Sequence, residues 1–164
     1  MQLLLKKGAD INIQDGQYGI TLLAACMRGH KEIIQLLLKK EGNISAQNRQ
    51  YRSTFLAACM RGHKEIVQLL LDHGADANTQ DQYHGSPLQA ASLNGHKETM
   101  QLLLNNGADI NLQGGYHGSA LRAASFNGHK EIVQLLLDNG AEPCNIPQEC
   151  LLSELTLISL VTKS

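Results

Sequence analysis

The residues best placed to do chemistry stand in a short run, Gly-His-Lys-Glu, which recurs at 29–32, 62–65, 95–98 and 128–131. A histidine near a carboxylate can serve as a general base or a metal ligand. The spacing argues against both. His30, His63, His96 and His129 follow one another at steps of 33 residues. Equivalent positions on packed helices lie about 8–10 Å apart, whereas zinc ligands sit about 2 Å from a shared ion. The four histidines therefore cannot converge on one centre, and each is expected to bond locally at a turn between two helices. The Lys and Glu beside them fall at the start of a helix, where both stay solvated and Glu favours the helix dipole. Within one period no nucleophile, base and orienting group come together. The chain is predicted not to be an enzyme, with no cofactor and no metal.

The elements that carry these residues obey the same period. The run Gln-Leu-Leu-Leu begins at Gln2, Gln35, Gln68, Gln101 and Gln134, so the phase extends to the first residues and the chain starts in mid-repeat. Residues 86–113 show the unit: two short helices joined by Asn-Gly, then a polar, turn-rich segment. Ser86 suits an N-cap and Pro87 a first helical turn. Gly95 and Gly107 suit left-handed helix ends. Thr99, Met100, Leu103 and Leu104 give the second helix one apolar face. Helices of two to three turns are too short to hold alone, so they must dock on neighbouring repeats. The pairs Ala24-Ala25, Ala57-Ala58, Ala90-Ala91 and Ala123-Ala124 keep side chains small where successive first helices approach.

Composition narrows the function classes. A chain of 164 residues that is 43% hydrophobic fits one folded unit with an aliphatic core, since it has no Trp and two Phe. A net charge of −1 gives no global field to attract a polyanion, so nucleic acid is excluded as the main partner. The opening residues lack a signal-peptide pattern and the tail is too short to cross a bilayer, so no membrane association is expected. Four Cys without secretory targeting suggest reduced thiols and an intracellular location, cytoplasmic by default with the nucleus open. Cys26 and Cys59, one repeat apart, are predicted to be buried apolar side chains, while Cys144 and Cys150 can pair if oxidised.

This pattern resembles the ankyrin repeat: a helix start like Thr-Pro-Leu-His, an Ala pair, Gly-His, a Leu-rich helix, and Gly-Ala-Asp-x-Asn at 8–12, 74–78 and 107–111. The resemblance implies an all-α solenoid of stacked helix-turn-helix units with β-hairpin-like finger loops. It covers 1–146, as a partial leading repeat over 1–17 and repeats over 18–50, 51–82, 83–115 and 116–146. Residues 113–125 are similar to ankyrin arrays of fungal proteins, often found downstream of nucleotide-hydrolysing signalling domains; no phosphate-binding Gly-x-x-x-x-Gly-Lys-[Ser/Thr] occurs here. The motif departs from the family where Leu23, Leu56, Gln89 and Arg122 replace the helix-start histidine, so that hydrogen-bond network must be altered or lost. Glu41 stands where other repeats have glycine, which predicts a strained turn.

Positions that vary between repeats carry the specificity of such an array. Just before each Gly-His stand Met27-Arg28, Met60-Arg61, Leu93-Asn94 and Phe126-Asn127, which in an ankyrin-like array face the concave groove. An exposed apolar stripe beside two arginines suits a protein-binding surface. Alternatively, its apolar members lie half-buried between neighbouring first helices. Tyr18, Tyr51, Tyr83 and Tyr116 are expected at loop tips, where they offer contact area or close one finger over the next. The predicted function is binding of a protein partner by a monomeric scaffold, unless the array belongs to a larger chain. The alternative is a ligand-sensing fragment of a larger fungal NTPase-type signalling protein. The half-repeat at the start suggests a fragment. After Pro143 and Pro147 the array stops, and residues 147–164 form a divergent segment in which Asn145 and Gln148 can cap a last helix.

Overall fold

The computed structural model describes residues 17–40 and 49–143. The leading partial repeat, the turn at Glu41, the Cys144 and Cys150 pair and the capping helix after Pro147 lie outside the described residues. Among those described, eight helices alternate between an inner and an outer row. The inner helices are α1 (Gln17–Met27), α3 (Arg49–Arg61), α5 (Pro87–Leu93) and α7 (Ala120–Phe126). The outer helices are α2 (Lys31–Lys40), α4 (Lys64–Asp72), α6 (Lys97–Asn105) and α8 (Lys130–Asp138). Each inner helix packs on its own outer helix and on the next inner one. This is the all-α repeat architecture that the period predicts.

The outer helices form because each presents an apolar face to the core, the same one in the last three and Ile34, Leu37 and Leu38 in α2. Ile66, Val67 and Leu70 on α4, Thr99, Met100 and Leu103 on α6, and Ile132, Val133 and Leu136 on α8 are all buried, at positions i, i+1 and i+4. Full burial of one such aliphatic side chain stabilises by about 1.5–3 kcal/mol. That exceeds what a nine-residue helix gains from propensity, so docking decides the fold. On the inner row Ala25, Ala58, Ala91 and Ala124 are all buried, but their preceding partners differ: Ala90 and Ala123 are buried, Ala57 is half-buried and Ala24 exposed. The second alanine of each pair is the one every interface requires.

The two halves differ in how an inner helix begins. Ser86 caps α5 with its side chain accepting from the Gln89 amide, and Gln89 returns the bond to the Ser86 N–H, a capping box ahead of Pro87. Ser119 caps α7 in the same way through the Arg122 amide. The fingers before them close as one-bridge hairpins, Asp81 with Gly85 and Gly114 with Gly118. α1 and α3 instead start early, at Gln17 and Arg49, so Tyr18 and Tyr51 lie inside helices and not at loop tips. The stretch Arg-Gln-Tyr-Arg-Ser-Thr offers α3 no glycine or proline to end on, so the helix runs on into the segment that later forms a finger.

Successive repeats are keyed together by Gly-His. Gly29, Gly62, Gly95 and Gly128 all hold φ between 68° and 79°, the left-handed region that turns the chain from inner to outer helix. The next repeat's histidine lies against the first three of them. A Cβ on Gly62 would fall 2.4 Å from His96 Nδ1, one on Gly95 2.8 Å from His129 Cε1, and one on Gly29 3.0 Å from His63 Cε1. His96 Nε2 donates to the Met60 carbonyl at 2.9 Å and His129 Nε2 to the Leu93 carbonyl at 3.0 Å. These are bonds between repeats, not the local turn bonds expected from the sequence. A carbonyl only accepts, which fixes the proton on Nε2. His63 Nε2 is buried with no partner among the described residues, so the first key is seated less completely.

Two outcomes follow for stability. Gly128→Ala meets open space and pays only for its left-handed backbone, about 1–2 kcal/mol; Gly62→Ala also drives the His96 ring aside and costs a further ~1–3 kcal/mol. Urea denaturation of both variants, with His96→Ala added to Gly62→Ala, checks this, since the added truncation recovers the excess only if the clash causes it. Burial also pushes the Cys26 thiol up to about 12 and the Cys59 thiol higher still, with proximity to Cys26 adding to the latter. At pH 8 neither is a thiolate, so peptide mapping after alkylation finds both unmodified in the native protein and modified once it is unfolded.

Candidate functional site

The side chains free to meet a partner lie where the inner helices end. Met27, Ala57, Met60, Arg61, Asn94 and His96 line one open cleft of about 400 Å³ that crosses three repeats. Met27 is 43% exposed, Arg28 and Arg61 are exposed, and Met60 and Leu93 are half-buried. The stripe thus divides: Met27 stands free, whereas Met60 packs partly against the core. The half-burial expected of the apolar members applies to Met60 and Leu93 and not to Met27.

Phe126, the last member, is 73% exposed and forms a separate cluster. Its ring lies 5.0 Å from His117, which meets Tyr116 edge-on at 5.2 Å. Desolvation and then the nearby Arg122 charge lower the His117 pKa from its ordinary value. Tyr116 and Tyr83 protrude from the two described fingers, 84% and 78% exposed. Their backbones join: the Tyr116 N–H donates to the Tyr83 carbonyl at 3.1 Å. At these two positions the main chain links the fingers and the rings stand in solvent.

A second cleft of about 360 Å³ lies beneath the Tyr83 finger, lined by Arg52, Ser53, Leu56, Gln80, Asp81 and Tyr83 among others. Burial pushes the Asp81 carboxyl up, but side-chain and backbone hydrogen bonds from His84, with one from the Tyr83 N–H, outweigh it and leave the pKa lowered. That carboxylate is committed to holding its own finger. Asn94 and Asn127 are likewise partly committed: the Asn94 amide donates to the Ala90 carbonyl and the Asn127 amide to the Leu93 carbonyl. Tyr51, placed within α3, is the one proposed contact removed from the finger tips.

The sequence did not reveal the polar bonds between repeats. Asn78 donates to the Gly107 carbonyl at 3.0 Å and accepts from the Asp109 N–H at 2.7 Å, and Asn111 does the same with Gly140 and Glu142. Gln89, in the place of the family's histidine, donates to the Leu112 and Gly118 carbonyls, so that network is altered, not lost. The recurrence of Asn at 12, 78 and 111 was the available signal. Lys31 and Glu65 pair at 2.6 Å, and Lys97 and Glu131 at 3.3 Å, across repeats on the exposed outer row. The Lys31 hydrogen bond, then its charge, lowers the Glu65 pKa.

Among the described residues no three His, Cys, Asp or Glu side chains gather as a metal centre requires, and no helix is long and apolar enough to cross a membrane. Comparison with the curated proteins finds no match. The family model described as Ankyrin repeats (3 copies) matches residues 1–81, 22–114 and 55–146 in overlapping registers. Paired helices, left-handed glycine turns and hairpin fingers repeating every 33 residues are what that match requires, and the chain belongs to the ankyrin repeat family.

Proposed function

We propose that the chain is a protein-recognition scaffold that binds its partner through the concave face formed by the inner helices and through the fingers. Ankyrin repeats are generally non-enzymatic protein-interaction modules. The observation that carries the finer reading is the exposure of Phe126 and Met27, large apolar side chains left in solvent at the register position that differs between repeats. Leu93 fills the same position half-buried, so the repeat itself does not dictate exposure there. Tyr83 and Tyr116 extend this surface with rings that lose little entropy on binding.

Met27, Arg28, Met60, Arg61 and Phe126 are the central contacts, with Tyr83 and Tyr116 at the edge. Leu93, Asn94 and Asn127 contribute shape, because Leu93 is half-buried and the two amide donors are already engaged.

The test separates contact from core. Phe126→Ala is expected to change stability by no more than about 0.5 kcal/mol, as for an exposed side chain, while weakening a captured partner at least about tenfold, or ~1.4 kcal/mol. Met60→Ala weakens binding and also lowers stability. Co-purification from cells with mass spectrometry identifies the partner, and titration of both variants against it reads the affinity. Unchanged affinity in both, with stability lost in Met60→Ala alone, sinks the contact assignment.

A further inference from the structure

The charges of the described helices are sorted by row. Every helical carboxylate is on an outer helix: Glu32, Glu65, Asp72, Glu98, Glu131 and Asp138. The outer helices balance these with lysines, two of which reach across to the next repeat's glutamate. The inner helices contain no Asp or Glu at all. Arg52, Arg61 and Arg122 lie within them and Arg28 directly follows α1. Among the described residues Arg28, Arg52 and Arg61 form no ion pair, and Arg28, Arg52 and Arg61 are exposed. Asp81, which shares the Arg52 cleft, is bonded to His84 and to the Tyr83 amide. A chain of net charge −1 therefore carries a locally cationic face, concealed in its composition by acids on the opposite side.

We propose that this face docks an acidic polypeptide segment, with carboxylates at Arg28, Arg52 and Arg61 and apolar side chains against Met27 and Met60. This rests on the protein-recognition reading and adds the chemistry of the partner. Guanidinium groups accept carboxylates in bidentate pairs. Arg61 beside Met27 and Met60 in one cleft, with the exposed Arg28 next to Met27 in the chain, suits a segment that mixes Asp or Glu with Leu, Ile or Phe. A nucleic acid offers phosphates to the arginines but nothing to match the apolar members, and three or four cations across the face are few for a polyphosphate.

A displayed random-peptide library panned on the full chain tests it. Selected peptides are expected to be rich in Asp and Glu interleaved with apolar residues. A labelled selected peptide should lose at least about tenfold in affinity on Arg28→Glu with Arg61→Glu, and weaken between about 0.05 and 0.5 M salt. Exchanging its acids for lysines should restore binding to that double variant. Both positions are exposed, and circular dichroism verifies the fold. Neutral or basic peptides that still depend on Met27 and Phe126 overturn the acidic partner while leaving protein recognition intact. Peptides indifferent to Met27→Ala and Phe126→Ala, or no enrichment, overturn both. Tighter binding of a thymidine oligonucleotide at the same arginines overturns the choice of polypeptide.

Discussion

One repeat is held to the next by a histidine ring lying on a glycine. The glycine must be glycine twice over: its φ is positive, and its missing Cβ is the space that the ring fills. The ring then donates to the carbonyl just before the turn it covers, Met60 for His96 and Leu93 for His129. Those carbonyls are at inner-helix C-termini, where the last groups of a helix lack intrahelical partners. One side chain thus fixes the spacing of two repeats, ends a helix and satisfies a buried acceptor. The apolar faces of the outer helices supply the larger energy, but aliphatic packing is not directional, and the key selects which of many slides is taken.

How firmly each key sits varies along the array. At Gly62 and Gly95 the approach is closest and the hydrogen bond is made. At Gly29 the ring stands further off and His63 Nε2 is buried unpaired. A buried polar group left so costs about 1–3 kcal/mol. That interface also lacks a second tie: Gln89 links its helix start to the next finger, whereas Leu23 at the equivalent position, like the buried Leu56 one repeat on, has nothing to donate. Leu56 gains burial in exchange for a polar link, and α3 lengthens where the finger would be. The first interfaces are consequently more apolar and less specified than the later ones.

The period made the fold legible, because 33 residues of spacing place every side chain within its own unit. It fixed Ser86 and Pro87 at a helix start, the glycine turns and the buried outer-helix faces. What it did not fix is which neighbour a side chain meets in the adjacent unit. The histidines and Asn78 and Asn111 are repeated just as regularly as Leu70 or Leu103, yet their partners are carbonyls a full repeat away. Tyr51 was misplaced for a different reason: helix extension through Gln, Arg and Ser won where Arg52 replaces the glycine that Asp81 and Gly114 pair with, whereas Tyr18 lies inside a helix although Gly19 keeps that register. The candidate face was legible by register, but the exposure of Phe126 against the half-burial of Met60 depends on what each neighbouring helix covers.

This division of labour also explains the charge. A side chain on the outer row must coexist with the same residue one repeat away, and a column of like charges repels. Alternating Lys and Glu eases this by setting a lysine beside the next repeat's glutamate, and Lys31 and Lys97 make that pair. The solution depends on both signs being present in every repeat, which is why the Lys-Glu run recurs as strictly as the glycine. The inner row has no such rule, because Arg28 and Arg61 are followed by Asn94 and Asn127 in the next two repeats and the column of cations ends after two. Two arginines one repeat apart with no carboxylate between them repel weakly in water, and that repulsion is relieved only by an anion brought from outside. The positions left unconstrained by stacking are therefore the ones where an unbalanced charge has been retained.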